Sequence, residues 1–235
     1  IINIIMEIKN LDNKHKDKDC VILACGPSLR EYSDEKVRSF CKDKIVICVK
    51  ESIFEFEDIC DYFISNFVRH RDYNIKNKSI VKIHQKGPNS PKNLDQYDIL
   101  IEEDRPFNIN SQLLKVKNYD KYNFKNNIKR PWGPGIMIET VLYLCQYMGI
   151  NNVFTIGFDL FDVKKETKLV HYFENDNNET YSKSRRYGER SFKDEAIFIN
   201  KNLPSMIDYF KRSNMNIFVV GKMSFLNPEI KRVYI

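Results

Sequence analysis

Cys20-Val21-Ile22-Leu23-Ala24-Cys25, followed by Gly26-Pro27-Ser28-Leu29, decides how this chain folds. Six small or apolar residues in a row, closed by a glycine, a proline and a serine, predict a buried strand running into a tight turn. Further runs of the same kind follow at Ile45–Val49, Asp61–Ile64, Ile80–Ile83, Asp98–Ile101, Asn152–Ile156 and Asn216–Val220. Between them lie helical patterns. Glu31–Cys41 is a short one. Pro134–Met148 is the strongest, with Ile136, Thr140, Tyr143, Leu144 and Tyr147 on one stripe and Val141, Leu142, Cys145 and Met148 opposite. A helix apolar nearly all round is buried, and Gly149 stands where a C′ glycine belongs. A capping box at Ser191–Asp194 opens the last helix, whose apolar face is Ala196, Ile199, Leu203, Ile207 and Phe210. Pro204 is expected to kink or restart it. Short strands alternating with helices imply an α/β fold, a mainly parallel sheet with helices on both faces. Ligands of such sheets bind beyond the carboxyl ends of the strands.

The length of 235 residues suits one such domain spanning the chain. Asn118–Arg130 lacks periodicity and reads as loop or lid. Val163–Gly188 is long and polar, and a loop of that length is a functional lid or is disordered; the lid is placed at 163–190. Apolar residues at 42% exclude long disorder. The net charge is 38 − 32 = +6, too dilute for a nucleic-acid binder but suited to an anionic small molecule or an acidic membrane surface. Richness in Lys, Asn and Ile is the bias of AT-rich coding, which accounts for part of that excess. The six cysteines form no C-x-x-C pair, so they read as reduced thiols of a cytoplasmic protein. No run approaches the ~20 apolar residues of a membrane span.

Several strand ends carry residues able to do chemistry. Gly26 lets backbone approach a ligand and Ser28 offers a hydroxyl ahead of a helix start, or the stretch is a plain strand-to-helix turn. It is neither a Walker A loop nor G-x-G-x-x-G. Arg130-Pro131-Trp132-Gly133-Pro134-Gly135 is a rigid helix entry that can present backbone N–H groups to an anion, with Trp132 placed to stack on a base or sugar. Asp159, in Gly157-Phe158-Asp159, either accepts from a ribose or base or is a turn residue. Lys50 and Glu51 close the second strand, and Ser65 and Asn66 the third; both pairs would point toward the same crevice, where Lys50 would neutralise a donor phosphate or is a plain surface charge. In the polar loop His171 is the available general base, or a solvated loop histidine. Tyr172, Arg185, Arg186 and Tyr187 around it, with Tyr181 and Arg190, are placed to clamp a diphosphate or carboxylate, or form a solvated basic loop. Glu102, Glu103 and Asp104 stand where a metal-ligand pair would, but the reading carried forward has no metal.

Val21–Leu29 resembles the nucleotide-binding turn of bacterial lipooligosaccharide sialyltransferases, a strand followed by G-x-G-P-S-L. Gly133–Met148, then Val153–Leu160, resemble that family's S-G-x-x-M helix and its strand ending in G-x-D-[FL]. The G-P-S-L turn is shared with the motility-associated glycosyltransferases and with proteins similar to archaeal hydroxymethylpterin diphosphokinases. The resemblance runs in order from Asp19 to Val220 with identities in these short blocks. It implies a Rossmann-like glycosyltransferase with a metal-independent site and no cofactor. CMP would lie along Gly26, Pro27 and Ser28, the entry Gly133, Pro134 and Gly135, and Gly157 with Asp159. Where the family has its first glycine and an Asn, this chain has Ala24 and Cys25. Lys50 replaces a phosphate-binding Asn and Phe161 a tyrosine. The family's His lies near the start of the last helix, whereas His171 lies well upstream.

The expected function is inverting transfer from a nucleotide-activated, CMP-linked acidic sugar to a glycan or glycolipid acceptor in surface-glycan synthesis. His171 would take the acceptor proton, and Lys50 would stabilise the leaving phosphate. Peripheral contact with the inner face of the membrane and a homo-oligomer fit this expectation, and a nucleic-acid partner does not. The alternatives are a diphosphokinase-like transferase with magnesium on Glu102 and Asp104, and a non-catalytic nucleotide- or RNA-binding module.

Overall fold

The computed structural model describes residues 7–66, 73–87, 90, 93–104, 119–131, 135–160, 192–224 and 226–235. Nine strands form one sheet: β1 (Asp19–Leu23), β2 (Ile45–Val49), β3 (Tyr62–Ser65), β4 (Val81–Lys86), β5 (Ile99–Asp104), β6 (Arg130–Pro131), β7 (Asn152–Ile156), β8 (Asn216–Val220) and β9 (Arg232–Val233). Their order is β6-β5-β4-β3-β2-β1-β7-β8-β9, and every pair is parallel. The α/β expectation therefore holds. The chain builds outward from β1 in one direction through β6, then returns to the other side of β1 with β7. The switch point, where ligands of such sheets generally bind at the carboxyl edge, lies between β1 and β7.

Unbroken apolar strands arise because both faces of the sheet are covered. Cys20 and Ile22 of β1 face one core, and Val21 and Leu23 the other. Burying each larger side chain contributes about 1.5–3 kcal/mol. The first core is filled by the helical segment of Met137–Val141 and Leu142–Tyr147, together with the long helix Phe192–Arg212. The second is filled by Val37 and Cys41 of the helix Asp34–Cys41 and by Ile53 and Phe56 of the turn Ile53–Phe56. Ser33 caps the former through Lys36 N–H. All six cysteines are free thiols, and five of them are buried. Among the described residues no helix is long and apolar enough to cross a membrane.

Three features differ from expectation. The 119–131 region is not all loop: it holds a 3₁₀ turn, Tyr119–Tyr122, and the short strand β6. The buried helix opens with a π-helical turn, Met137–Val141, instead of a regular α-turn from Pro134. Pro204 sits inside one unbroken 21-residue helix. Proline removes the donor that would serve the carbonyl four residues earlier. That carbonyl, on Asn200, accepts instead from the side-chain amide of Asn227 at 3.1 Å, while Asn200 Oδ1 accepts Asn227 N–H at 2.8 Å. A side chain from the C-terminal segment thus supplies the bond that the proline removed.

Candidate functional site

The ends of β1 and β7 are stitched together by backbone bonds that continue past the strands. Ala24 N–H donates to Ile156 at 2.8 Å and Gly26 N–H to Gly157 at 2.7 Å. Gly157 has φ +74°, and a Cβ there would press on the Ala24 carbonyl. A Cβ on Gly26 would lie 2.5 Å from both Asp159 Oδ2 and the Gly157 carbonyl oxygen. Both glycines are therefore required by the closeness of the two chain segments, whatever ligand approaches them.

Pro27 then opens a 3₁₀ turn, Pro27–Glu31. Ser28 is 1% exposed. Its backbone N–H donates to Asp159 Oδ2 at 2.6 Å and its hydroxyl to Oδ1 at 2.8 Å, while Gly157 N–H donates to Ser28 Oγ at 3.1 Å. Burial pushes the Asp159 carboxyl up from the usual carboxylate range, and the bonds from Ser28 and Ser224 oppose that shift. The far end of the turn is held by a second carboxylate. Glu31 accepts Lys222 and Met223 N–H at 2.7 to 2.9 Å and packs under Gly221. The anion that a short helix start attracts is here supplied by the protein itself.

Along the same edge, Lys50 follows β2 with φ +55°, a conformation costing a non-glycine residue about 1–2 kcal/mol. Beside it the Cys25 thiol donates to Val49 O at 3.1 Å and to Glu51 at 3.5 Å, and burial pushes it up out of the reactive range. Ser52, fully buried, donates to Leu23 O at 2.7 Å and accepts Val49 N–H at 3.0 Å, locking the ends of β1 and β2. Asn66 follows β3, and its Oδ1 is buried with no hydrogen-bond partner. Next to it His84 is fully buried between the hydroxyls of Ser65 (2.9 Å to Nδ1) and Ser90 (2.8 Å to Nε2). Ser65 passes its own proton to Tyr97, and Ser90 accepts Gly87 N–H. These bonds fit a neutral imidazole protonated on Nδ1. Burial lowers its pKa to about 4.

At the ends of β4 and β5 the polar groups form one network. Gln85 Nε2 donates to Glu139 Oε2 at 3.0 Å and to Glu103 Oε1 at 3.3 Å, while Thr140 donates its hydroxyl to Gln85 Oε1. Glu139 Oε1 accepts Gly135 N–H at 2.9 Å. On β6, Arg130 is fully buried, donating to the carbonyls of Tyr122, Asn127 and Lys129 and stacking on Phe124 at 4.1 Å. Lys86 pairs with Glu102 at 3.2 Å. Among the described cations closing β1 to β6, Lys50 is the one neither paired with a carboxylate nor fully buried.

The structure thus gathers Gly26, Pro27, Ser28, Gly157 and Asp159 at the switch point. Lys50 and Asn66 lie beside them on the next two strand ends, and Gly135 lies farther along, tied to β4. From β1 to β4 is three strand spacings, about 14 Å. The helix entry was expected to offer its N–H groups outward; that of Gly135 is taken by Glu139. Trp132, Gly133, Pro134, Phe161, the 163–190 segment with His171, Tyr172, Tyr181, Arg185, Arg186, Tyr187 and Arg190, and Ser191 lie outside the described residues. Sequence reasoning missed Gln85, His84 and Glu139. The signal for Glu139 was present, a single charge in the apolar run Ile136–Cys145. Among the described residues no three His, Cys, Asp or Glu side chains are grouped as metal ligands.

No protein-family model and no curated protein matches this chain. Among solved structures it is similar to the MAf glycosyltransferase from Magnetospirillum magneticum AMB-1, at a TM-score of 0.52 and 10% identity, over 95% of this chain and 34% of that one. The likeness is one of fold. This chain has the α/β architecture of a part, about a third, of that glycosyltransferase, whose full length is much greater.

Proposed function

We propose that this chain is a glycosyltransferase domain that binds a nucleotide-activated sugar, foremost a CMP-linked acidic sugar, and transfers it with inversion to a hydroxyl of a glycan or glycolipid. One observation supports the reading most. The sequence blocks around Gly26, Gly135 and Asp159 all fall on the carboxyl edge of a parallel sheet, beside or along from its switch point. An edge of this length suits an extended, two-part ligand.

In this reading the nucleotide lies near Gly26, Pro27, Ser28, Gly157 and Asp159. Lys50 faces the phosphate and offsets the charge that develops as the nucleotide leaves. The orphaned Asn66 Oδ1 accepts an N–H or O–H of the donor, and a buried acceptor gains most from such a bond. Trp132, Gly133 and Pro134 complete the entry together with Gly135. His171 takes the acceptor proton, and Tyr172, Arg185, Arg186 and Tyr187 close over the phosphate and limit hydrolysis. Thermal unfolding with CMP, CDP, UDP, GDP and ATP tests the proposal. CMP at about 100 times its Kd is expected to stabilise by about 2.7 kcal/mol. No response to CMP beside a clear one to ATP with magnesium would overturn it in favour of a diphosphokinase-like transferase.

A further inference from the structure

Glu139 is 2% exposed in the first turns of a buried helix, flanked by apolar residues and by Thr140. A carboxylate in such a place costs several kcal/mol unless both oxygens are served. Its Oε1 accepts Gly135 N–H, and its own N–H donates back to the Gly135 carbonyl at 3.0 Å. Its Oε2 accepts from Gln85, which is itself fully buried and reaches on to Glu103. Gly135 has φ +108°, and a Cβ there would meet nothing within 4 Å. The glycine is thus demanded by the backbone shape and not by lack of room, and Glu139 is the group that holds this shape.

We propose that Glu139 is a positioning residue of the nucleotide site: its carboxylate sets the backbone at Gly135, where the helix begins, against Gln85 at the end of β4, and nucleotide affinity depends on it. The inference rests on the functional reading above, in which that entry lines the donor. Glutamine at 139 preserves the volume but not the bonds. Two donors, Gly135 N–H and Gln85 Nε2–H, converge on the side chain, and an amide can accept on only one side. Gln85 cannot turn to offer its oxygen, because Thr140 already holds it.

The test compares wild type, Glu139→Gln and Asn227→Ala for CMP affinity by calorimetry and for hydrogen exchange at the Gly135 amide. Asn227→Ala controls for destabilisation remote from the entry. Glu139→Gln is expected to raise the CMP Kd about tenfold, the scale of one charge-assisted hydrogen bond, and to expose the Gly135 amide. Asn227→Ala is expected to keep the wild-type Kd despite its lower melting temperature. A Glu139→Gln protein that binds CMP as wild type does overturns the inference, and so does weakened binding with the Gly135 amide still protected. Should Glu139→Gln not fold, Gln85→Met decides in its place: it cuts the link to β4 and β5, so a roughly threefold weaker Kd supports the inference and an unchanged one overturns it. Failure of the wild type itself to bind CMP sinks the functional reading and this inference together. That result is distinct from wild type and variant binding equally.

Discussion

At the turn after β1 the N–H of Ser28 goes to a carboxylate 131 residues away, whereas at the helix entry the N–H of Gly135 goes to one four residues away. Both turns precede a helical segment, both were expected to receive a ligand, the first through the Ser28 hydroxyl and the second through backbone N–H groups, and both hold a carboxylate of the protein instead, half-buried at Asp159 and buried at Glu139. The difference is one of distance along the chain. The Ser28–Asp159 clamp exists only when β1 and β7 are paired, so it should be lost only with global unfolding. The Gly135–Glu139 bond closes within one helical turn, and its long-range hold comes through the second bond, from Gln85 to Glu139. The first clamp should open only with the sheet; the second should open at lower cost in hydrogen exchange.

The largest expected effect comes from breaking the distant clamp. Gly157→Ala combines a left-handed φ with pressure on the Ala24 carbonyl and should cost about 4 kcal/mol in urea unfolding. A loss below about 1 kcal/mol would mean that β1 and β7 can part without harm.

Acid should act between the two clamps, at His84. Its imidazole is held at about 4, against 6.5 in the unfolded chain. Between these values the unfolded chain binds more protons, so this contribution is full above pH 6.5 and falls by about 3 kcal/mol as pH drops to about 4. Asp159 acts with the opposite sign, because its raised pKa lets the folded state take up a proton first. Denaturation across this range for wild type and His84→Gln separates the two: the variant should lose the steep acid slope, and an unchanged slope would contradict the buried neutral imidazole.

Asp159→Asn is a milder cut, leaving one good acceptor for the two Ser28 donors. It should cost about 2 kcal/mol in chemical denaturation, with the Gly135 amide still protected from exchange. Loss of protection at Gly135 would show that the two clamps are not independent. Outside both, Asn227→Ala removes the partner of the carbonyl freed by Pro204 and should cost about 1 kcal/mol by thermal unfolding; no change would mean water serves that carbonyl equally well.

The same contrast governs what could be read from the residues alone. Ile45–Val49 and Asn152–Ile156 appear as strands with the bounds expected, because an apolar run closed by a turn is a local signal. Gly26, Ser28, Gly157 and Asp159 were each legible as strand-end residues. Their contact was not, since nothing local ties Ser28 to Asp159. The strand at Arg130–Pro131 was hidden because two residues carry no periodicity, and Pro204 misled because its compensation comes from Asn227. Glu139 was legible in principle, since a lone charge in a buried, mainly apolar helix must have partners. Its partner on β4 was not.

If one ligand spans the carboxyl edge from the Ser28 turn to the Gly135 entry, hydrogen exchange of the wild-type chain with and without saturating CMP will show it. Protection should be added in peptides covering 24–30 and 132–139, with none at the opposite edge around His15 and Tyr62. Protection confined to that opposite edge, or absent from both turns, would contradict it.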